Sequence, residues 1–371
     1  MSNEFSEKTH EVESKVKCKD CGALLKYHPG QMSLNCEYCG CHNEIAEQLK
    51  PVEAEELDFN AFLANASAAA PTMAMTVVKC GSCGASATLK ENVTADSCAF
   101  CGTALIVKNG TTTNVIAPKY LLPFSIDMKK GIEGFKKWLK GLWFAPNDLK
   151  HAAQNDKLKG VYLPYWTYDT NTYSTYSGMR GDHYYVTETY TVNGKTQTRS
   201  VQKTRWTPAS GNVNDQFDDV LVLASNSLPD KYANELEPWD LNNLAAFNEQ
   251  FLSGFIAEQY QVDVKGGFDK AKVRMDPIIR KTVNRDIGGD VQQITSLHVT
   301  YNDITFKHIL LPIWLSAFKY KEKVYRFMIN GRTGEVQGER PYSFWKIFFT
   351  VVAGLAVIGG AIWAYMEYGA E

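Results

Sequence analysis

The sequence predicts an α+β fold, with two small modules ahead of a mixed helix and antiparallel-sheet domain and one long apolar helix after it. Three observations support this prediction: a four-cysteine pattern that occurs twice, a central region that alternates helical and β-rich segments, and twenty uncharged residues near the C-terminus. With 371 residues, 44% of them apolar, the chain can form two or three domains with a buried core.

The two modules share the pattern C-x2-C-G-A, fourteen residues, C-x2-C-G, and the second pattern begins 62 residues after the first. Zn²⁺ prefers four thiolates in a tetrahedron, and a C-x2-C knuckle supplies two of them from one turn. A four-thiolate site has no open position for water, so both sites are predicted to be structural. The predicted ligands are Cys18, Cys21, Cys36 and Cys39 in the first module and Cys80, Cys83, Cys98 and Cys101 in the second.

Three further residues near the first site are not expected to bind zinc. Cys41 is the one of the nine cysteines that the repeated pattern leaves over, and a Cys39/Cys41 pairing would break the symmetry with the second module. His28 and His42 are expected at the surface, because four thiolates already complete the site.

Charge argues against nucleic acid as the ligand of these modules. The chain has a net charge of −2, and residues 17–46 hold three lysines against three acidic residues. Four thiolates with one Zn²⁺ add a formal charge of about −2 to each module. A surface that follows a phosphate backbone needs an excess of Lys and Arg, so nucleic-acid binding is disfavoured.

Composition and motifs divide the chain into six predicted parts. The linker is expected to carry a short helix around Leu57–Leu63. The parts are a disordered lead (1–16), a first zinc ribbon (17–46), a linker (47–76), a second zinc ribbon (77–108), the α+β domain (118–342) and a transmembrane helix (345–366).

Three helices are predicted in the α+β domain from apolar residues at helical spacing. They cover Asp127–Phe144 with Asp127 as the cap, Asp240–Glu258, and Phe268–Val283, where Pro277 could kink the helix. The first helix has five lysines away from its apolar face, with two tryptophans beside them. This pattern fits either a helix lying on anionic lipid or a core-facing helix with a solvated face, and we favour the second.

The strands of this domain are predicted from dense aromatic and β-branched residues. Asn193-Gly194 indicates a type I′ hairpin turn that pairs Val192 with Lys195, Glu188 with Arg199, and Val186 with Val201. From Ile294 to Val336 the pattern is strand–turn–strand, with turns near Asn302-Asp303 and at Asn330–Gly334. The repeated LPYW (163–166) and LPIW (311–314) suggest an internal duplication.

Ile347–Met366 is long enough to cross a membrane, because twenty helical residues span about 30 Å. Arg340 and Lys346 precede this segment, and Glu367 and Glu371 follow it. Positive flanks remain on the cytoplasmic side. The sequence therefore predicts a single-pass protein of the inner membrane with a cytoplasmic N-terminus.

No arrangement of residues indicates catalysis or a small-molecule substrate. The Gly194-Lys195-Thr196 run resembles the end of a phosphate loop, but Thr189 stands where the first glycine is needed. Four carboxylates near predicted turns are the only candidates for a hydrolase, and loop carboxylates usually cap or solvate. These candidates are Asp218, Asp219, Asp286 and Asp290. We therefore expect no enzymatic activity.

Several motifs together resemble a bacterial family of double-zinc-ribbon proteins. They include CGALLKYHPG, CEYCG, CGSCGA, CAFCG, WLKGLWFAPNDLK, LKGVYLPYWTYD, TFKHILLPIW and NGRTGEVQGERPYS, and the resemblance extends from about Val16 onward. The family is commonly labelled "primosomal protein N′ (replication factor Y), superfamily II helicase" or transcription factor IIB-type zinc-ribbon protein. Members with a C-terminal membrane segment occur beside flotillin-like (SPFH) proteins, which implies a membrane-associated assembly. The helicase label is not supported here, because helicase motifs are absent from the sequence.

These observations predict a non-enzymatic zinc-ribbon adaptor, anchored by its C-terminal helix at the cytoplasmic face of the membrane. Its expected partners are the membrane and other proteins, with flotillin-like proteins as candidates. The alternative is a nucleic-acid-binding zinc-ribbon protein without helicase catalysis.

Overall fold

The computed structural model describes residues 17–30, 33–45, 55–64, 72–88, 95–106, 111–146, 158–192, 195–320 and 323–368. The predicted disordered lead (1–16) lies outside these ranges, as do residue 46 of the predicted first ribbon and residues 47–54 and 65–71 of the predicted linker. The helices are α1 (Phe59–Ala64), α2 (Met128–Gly141), α3 (Asp230–Asn234), α4 (Val264–Ile287) and α5 (Phe344–Tyr368).

The strands are short at the N-terminus and very long in the centre. They are β1 (Lys26–Tyr27), β2 (Ser33–Asn35), β3 (His42–Glu44), β4 (Leu57–Asp58), β5 (Thr72–Lys79), β6 (Ser86–Ala87), β7 (Ala95–Ser97), β8 (Ala104–Ile106), β9 (Thr111–Ile116), β10 (Tyr120–Leu121), β11 (Lys159–Val192), β12 (Lys195–Leu223), β13 (Ala245–Ala246), β14 (Ile256–Ala257), β15 (Val291–Tyr320), β16 (Lys323–Asn330) and β17 (Val336–Gly338). Helices and mostly antiparallel strands confirm the α+β class.

A nine-stranded sheet organises the main domain. Its path is β12-β11-β15-β10-β13, with β14 added to β11, β4 and β16 added to β15, and β17 added to β16. The pairs β12/β11 and β11/β15 are antiparallel over most of their length. Separate small sheets form in the N-terminal modules: β1-β2-β3 in the first, and β6-β5-β9 with β7-β8 in the second.

The predicted hairpin register is confirmed. Val192 pairs with Lys195, Glu188 with Arg199, and Val186 with Val201. Arg199 also forms an ion pair with Glu188 at 3.1 Å. The turn residues Asn193-Gly194 lie outside the described residues.

The first predicted helix is confirmed as α2. The Asp127 carboxylate accepts a hydrogen bond from the Lys130 N–H at 2.7 Å, which satisfies one of the free donors at the helix N-terminus. Phe135 stacks on Phe327 of β16 with ring centroids 3.7 Å apart, so the apolar face of α2 lies on the sheet.

The predicted helix Asp240–Glu258 is wrong. This segment forms two 3₁₀ turns, Leu241–Asn243 and Glu249–Leu252, which alternate with β13 and β14. Ala245 pairs with Leu121, so the sheet supplies backbone partners that compete with helical hydrogen bonds. The apolar spacing reflects side chains that enter the cores beneath this segment, and tertiary contacts override the helical pattern.

Two other predictions are corrected in detail. Helix α4 is longer than predicted and contains Pro277, and the Asp263 carboxylate caps its N-terminus by accepting from the Gly266 N–H at 2.7 Å.

The turn predicted near Asn302-Asp303 is wrong, because β15 runs through both residues. Asp303 takes a positive φ of 51° and the register with β11 shifts near it, so this feature is a β-bulge. The turn at Asn330–Gly334 is confirmed by the Gly334 N–H, which donates to the Asn330 carbonyl at 2.9 Å.

The domain repeats one order of elements. Helix α2 precedes the long strand β11 and its returning partner β12, and α4 precedes β15 and its returning partner β16. The two LP motifs meet in the middle of the sheet, where Leu163 pairs with Leu311 in antiparallel register. The repeated LPYW and LPIW sequences therefore lie in two strands that are neighbours in the sheet.

The two N-terminal modules pack on opposite faces of the main sheet. Tyr162 and Trp314 belong to the core that contains Leu34 of the first module. Their strand neighbours Val161 and Ile313 belong to the core that contains the second module. Because successive side chains of a strand point to opposite faces, the sheet separates the two modules.

Helix α5 is the one helix in the described part of the chain that is long and apolar enough to cross a membrane. Its apolar window (within 344–367) is not buried against the rest of the described residues. An unburied apolar helix of this length fits a membrane span rather than a core helix, which would be covered on most sides.

Candidate metal centres

The four C-x2-C knuckles adopt one backbone geometry. In each knuckle, the N–H of the glycine after the second cysteine donates to the carbonyl of the first cysteine at 2.9 Å. These glycines, Gly22, Gly40, Gly84 and Gly102, have φ between 72° and 78°. An L-residue with a side chain is strained at such angles, which explains why glycine follows each knuckle.

The structure brings the eight predicted ligands together in two groups, Cys18, Cys21, Cys36 and Cys39, and Cys80, Cys83, Cys98 and Cys101. Within each group the sulfur atoms all lie within 4.8 Å of one another. The closest sulfur pairs are 3.5 Å apart in the first group and 3.7 Å apart in the second.

These distances fit zinc. A tetrahedron with Zn–S bonds of about 2.3 Å has S–S edges of about 3.8 Å. A disulfide would need about 2.05 Å, so the sulfurs are too far apart for a bond. The residues therefore form two structural zinc sites, each closed by four sulfurs.

Local hydrogen bonds and burial shift the pKa values of the thiols in opposite directions. The Cys21 N–H holds the pKa of Cys18 at about 6, and the Cys39 N–H lowers the pKa of Cys36. In the second group, burial raises the pKa of Cys83 to about 11. Four thiolates within van der Waals contact repel one another, and a divalent metal removes that cost when it binds all four.

Burial differs within each knuckle. The first cysteines, at 18, 36, 80 and 98, are at most 4% exposed, whereas their partners three residues later are more accessible.

Cys41 and His42, which were not predicted to bind zinc, lie outside the sulfur groups. The Cys41 sulfur is 3.8 Å from the His42 carbonyl, and His42 is exposed. His28 is half-buried, and its enclosed Nε2 atom has no hydrogen-bond partner in the part of the chain that the structure describes.

The first ribbon is held to the main domain through Tyr27. Its hydroxyl donates to the Phe124 carbonyl at 3.1 Å, and its N–H donates to the Ser253 carbonyl at 3.1 Å. The ring packs edge-on against Phe251, with centroids 5.3 Å apart. Tyr27 lies six residues after Cys21, so the residue that docks this ribbon belongs to the same short segment as the first knuckle.

The second ribbon is held by a backbone ladder. The Thr88 N–H donates to the Ala257 carbonyl at 2.9 Å, and the Gln259 N–H donates to the Ser86 carbonyl at 2.9 Å. From the zinc knuckle itself, the Phe100 carbonyl accepts a hydrogen bond from the Arg326 Nε at 2.6 Å. Both ribbons are therefore parts of the folded body of the protein, with their metal sites fixed relative to the sheet.

A buried carboxylate lies at the joint of the second ribbon. Glu258 is 1% exposed and faces Ala87 of the ribbon across an antiparallel bridge. Its Oε1 accepts hydrogen bonds from Ser225 at 2.8 Å, from Ser227 and from Gln261 at 3.2 Å, and its Oε2 has no partner among the described residues. Burial raises the pKa of Glu258 to about 8.

We expect Glu258 to make stability depend on pH. The carboxyl has an ordinary pKa of 4.5 in the unfolded chain, so between about pH 4.5 and pH 8 the folded state binds the proton more tightly. Its contribution to the free energy of unfolding is complete below pH 4.5. It falls by up to about 1.4 kcal/mol per pH unit as the pH rises from 4.5 through 8, and it is lost above that range. Denaturant unfolding of wild type and Glu258→Gln across this range measures the difference between their slopes.

Exposed Glu235→Gln is the matched control, and its unfolding free energy should follow that of wild type at every pH. Parallel pH profiles for wild type and Glu258→Gln would contradict a neutral Glu258 in the folded protein.

The candidate hydrolase carboxylates do not meet in one place. The Asp286 Oδ2 accepts from the Tyr176 hydroxyl at 2.6 Å, and the Asp290 Oδ2 accepts from the His183 N–H at 2.6 Å. Both contacts join the end of α4 and the start of β15 to β11. Asp218 and Asp219 instead lie with Asp169, with ligand oxygens within 4.8 Å of one another.

A buried lysine, which the sequence analysis missed, lies among these carboxylates. The Lys307 side chain is 5% exposed, and its Nζ lies 2.8 Å from Asp219, 3.1 Å from Glu56 and 3.9 Å from Asp169. Burial alone lowers the pKa of Lys307, but the ion pair with Asp219 outweighs this effect and raises it. The only sequence signal was a single charge inside the apolar stretch TFKHILLPIW.

Comparisons with known proteins give one similarity to report. Over 243 residues the chain is 26% identical to a protein of Bacillus subtilis (strain 168) with the name "Uncharacterized protein YdjG". The aligned region covers 64% of this chain and 69% of the relative. No family model matches the chain, and no solved structure matches it.

Proposed function

We propose that this protein is a non-enzymatic adaptor at the cytoplasmic face of the inner membrane, anchored by α5 and stabilised by its two zinc ribbons. In this proposal it presents a protein-binding surface to other members of a membrane-associated assembly of the flotillin type. One observation carries the proposal: a two-stranded arm that extends beyond the rest of the sheet.

This hairpin arm consists of His183–Val192 of β11 and Lys195–Thr204 of β12. The third strand, β15, pairs with β11 only as far as Gly181. In the arm, Tyr185 is 69% exposed and Tyr184 is 42% exposed. Tyrosine exposed on a projecting, regular element is typical of a protein interface, because it supplies contact area at low entropic cost.

The edges of the arm add a second means of recognition. Among the described residues, neither strand of the arm has another strand beside it. An unpaired strand edge can bind an extended segment of a partner through backbone hydrogen bonds. Exposed charges along the arm, such as Lys195 and Arg199, protect it from unspecific edge-to-edge association.

The orientation is proposed from flanking charge. Arg340 precedes α5 and Lys346 lies in its first turn, whereas Glu367 lies at its end, so the positive-inside rule favours a cytoplasmic location for the ribbons and the arm. A reducing cytoplasm also suits eight zinc thiolates, which an oxidising compartment would convert to disulfides.

The absence of catalysis is likewise a proposal. Asp286 and Asp290 are engaged by Tyr176 and His183, and the buried ammonium of Lys307 pairs with Asp219. Zinc sites with four sulfur ligands have no position for a reactive water. These contacts give structural roles to three of the four candidate carboxylates, Asp219, Asp286 and Asp290.

Co-purification from native membranes in mild detergent tests the proposal. The bait is the full chain, compared with a variant that joins Tyr184 to Lys203 through an Asn-Gly loop. Because these two residues are register partners, a two-residue turn closes a shorter hairpin without changing the pairing below it. We expect a protein partner, identified by mass spectrometry, with wild type and its loss with the shortened arm.

The matched control is Val273→Ala, which changes a 73% exposed side chain on α4. It should retain the partner, and all three proteins should hold two zinc ions. Recovery of the bare chain alone, or equal recovery of the partner with the shortened arm, would refute the adaptor proposal. A retained flotillin-like (SPFH) protein would support that type of assembly.

A nucleic-acid-binding role is the second candidate, and the arm is again the relevant observation. It carries Lys195, Arg199 and Lys203 beside exposed tyrosines, a combination that can bind phosphates and stack bases. Glu188 forms ion pairs with Arg199 and Lys203, both at 3.1 Å, which reduces the free positive charge. Gel-shift binding that weakens steeply with salt and is lost with the shortened arm would favour this role over the adaptor.

A further inference from the structure

Helix α2 has two chemically distinct faces. Its inner face packs Gly131, Phe135 and Leu139 against the sheet. Its outer face is exposed and carries five lysines and one glutamate: Lys129, Lys130, Lys136, Lys137, Lys140 and Glu133. In the described part of the chain, none of these five lysine side chains forms an ion pair or hydrogen bond.

The loop after α2 is hydrogen-bonded to the residues at the start of α5. The Ser343 N–H donates to the Phe144 carbonyl at 2.7 Å. The Lys346 ammonium donates to the Ala145 carbonyl at 2.8 Å and to the Trp143 carbonyl at 3.3 Å. The loop after α2 therefore lies at the level where the chain enters α5.

Aromatic side chains surround this junction. Trp143 is 74% exposed, and Phe344 and Trp345 in the first turn of α5 are 71% and 65% exposed. Tryptophan favours the membrane–water interface, where its ring is partly buried and its N–H remains hydrated. If α5 spans the bilayer, Trp143 is held in the same interfacial layer as Trp345.

The lysines nearest this layer are Lys136, Lys137 and Lys140. They lie within about 8 Å of the C-terminal end of α2 along its axis, because a helix rises about 1.5 Å per residue. The screening length at physiological salt is also about 8 Å. A negatively charged membrane surface at the entry of α5 would therefore attract these three side chains.

We propose that Trp143 and the basic face of α2 form a docking surface for anionic phospholipid headgroups, next to the point where α5 enters the membrane. This inference rests on the proposed membrane anchoring. It adds a second contact that sets how the folded domain sits on the bilayer.

Lipid is the occupant that the contacts favour. A partner protein or a nucleic acid at this face would have to bind within the headgroup layer, which lipid already occupies. The exposed ring of Trp143 beside the lysines also fits an interface that is apolar on one side and charged on the other.

Lysine footprinting of the full chain in nanodiscs tests the proposal. A water-soluble acylating reagent modifies accessible lysines, and mass spectrometry gives the rate at each position. Discs of phosphatidylcholine alone are compared with discs in which about one third of the lipid is phosphatidylglycerol. We expect the rates at Lys136, Lys137 and Lys140 to fall about fivefold in anionic discs and to recover in about 0.5 M salt.

Exposed Lys265 on α4 serves as the internal reference, and its rate should be the same in both discs. Equal rates at the three α2 lysines in both discs would overturn the inference while leaving the anchor in place. A chain that does not enter nanodiscs at all would overturn both the inference and the proposed anchoring. Protection in native membranes but not in anionic discs would identify a protein occupant and would also overturn it.

A variant gives an independent readout. Lys136→Gln/Lys137→Gln/Lys140→Gln changes exposed side chains, so the fold should be retained. Oxidation of Trp143 by hydroxyl radicals in anionic discs should increase several-fold in this variant. The matched control is Lys195→Gln/Lys265→Gln/Lys281→Gln, which removes three exposed lysines elsewhere and should leave the oxidation of Trp143 unchanged. Equal oxidation of Trp143 in both variants would contradict the proposed surface.

Discussion

Replacing Cys36 with serine is expected to remove one of the two zinc ions and to unfold the first ribbon. A structural Zn²⁺ site contributes about 10–16 kcal/mol of binding free energy in small zinc domains, which is comparable to or larger than the stability of a whole domain. Tyr27 and Leu34 of this ribbon belong to the core that also contains Phe124 and Trp314. The loss should therefore extend into the main domain and lower its thermal unfolding temperature.

Metal analysis of the purified folded fraction checks this result as the ratio of zinc to protein. Wild type should contain two zinc ions, and Cys36→Ser one. Cys98→Ser should likewise lose one ion, because Cys98 is 4% exposed and holds the equivalent position in the second ribbon.

Cys41→Ser is the matched control, since Cys41 lies next to the first site but outside its sulfur group. It should retain two zinc ions and the stability of wild type. If Cys36→Ser retained both ions and Cys41→Ser lost one, the assignment of the first site would be wrong.

Replacing Lys307 with methionine is expected to cost about 3–5 kcal/mol of folding free energy. Breaking a buried ion pair by removing one partner leaves an uncompensated charge in a poorly solvated place. Here the ammonium lies between carboxylates from three parts of the chain: Glu56 before β4, Asp169 on β11 and Asp219 on β12. The variant should therefore also loosen the attachment of β4 to β15. Chemical denaturation measures the free energy of unfolding.

Lys203→Met is the matched control, because its ion pair with Glu188 at 3.1 Å is exposed on the arm. An exposed pair contributes at most about 1 kcal/mol. Adding Asp219→Asn to Lys307→Met should recover part of the loss, since asparagine tolerates the positive φ of 51° at this position and carries no charge. Equal losses for the two lysine variants would mean that the buried ammonium contributes no more than a surface pair.

Local patterns predicted much of the structure correctly. The Asn193-Gly194 signal and the matched pairs Glu188/Arg199 and Val186/Val201 predicted the hairpin register, because a two-residue loop leaves only one pairing for the strands beside it. The cap at Asp127 and the apolar spacing after it predicted α2. The paired knuckles predicted both sulfur groups, since ligand spacing within a turn is a local property.

Predictions failed where the partner of a segment is distant in sequence. The apolar spacing from Asp240 to Glu258 is compatible with a helix, but the strands β10 and β11 supply its backbone partners. Asn302-Asp303 has turn composition, yet hydrogen bonds to β11 carry the strand through it as a bulge. Lys307 could not be interpreted as an ion-pair centre, because its three carboxylate partners lie 251, 138 and 88 residues away.

By itself, the sequence determined the elements whose physics is local: the two zinc sites, the long hairpin, the capped helix α2 and the apolar helix α5. Only the tertiary structure decided that the ribbons pack on opposite faces of one sheet, that the hairpin arm extends beyond its third strand, and that the basic end of α2 lies beside the start of α5. The reason is physical, since burial and backbone pairing between distant segments depend on which surfaces meet, and no single stretch of sequence contains that information.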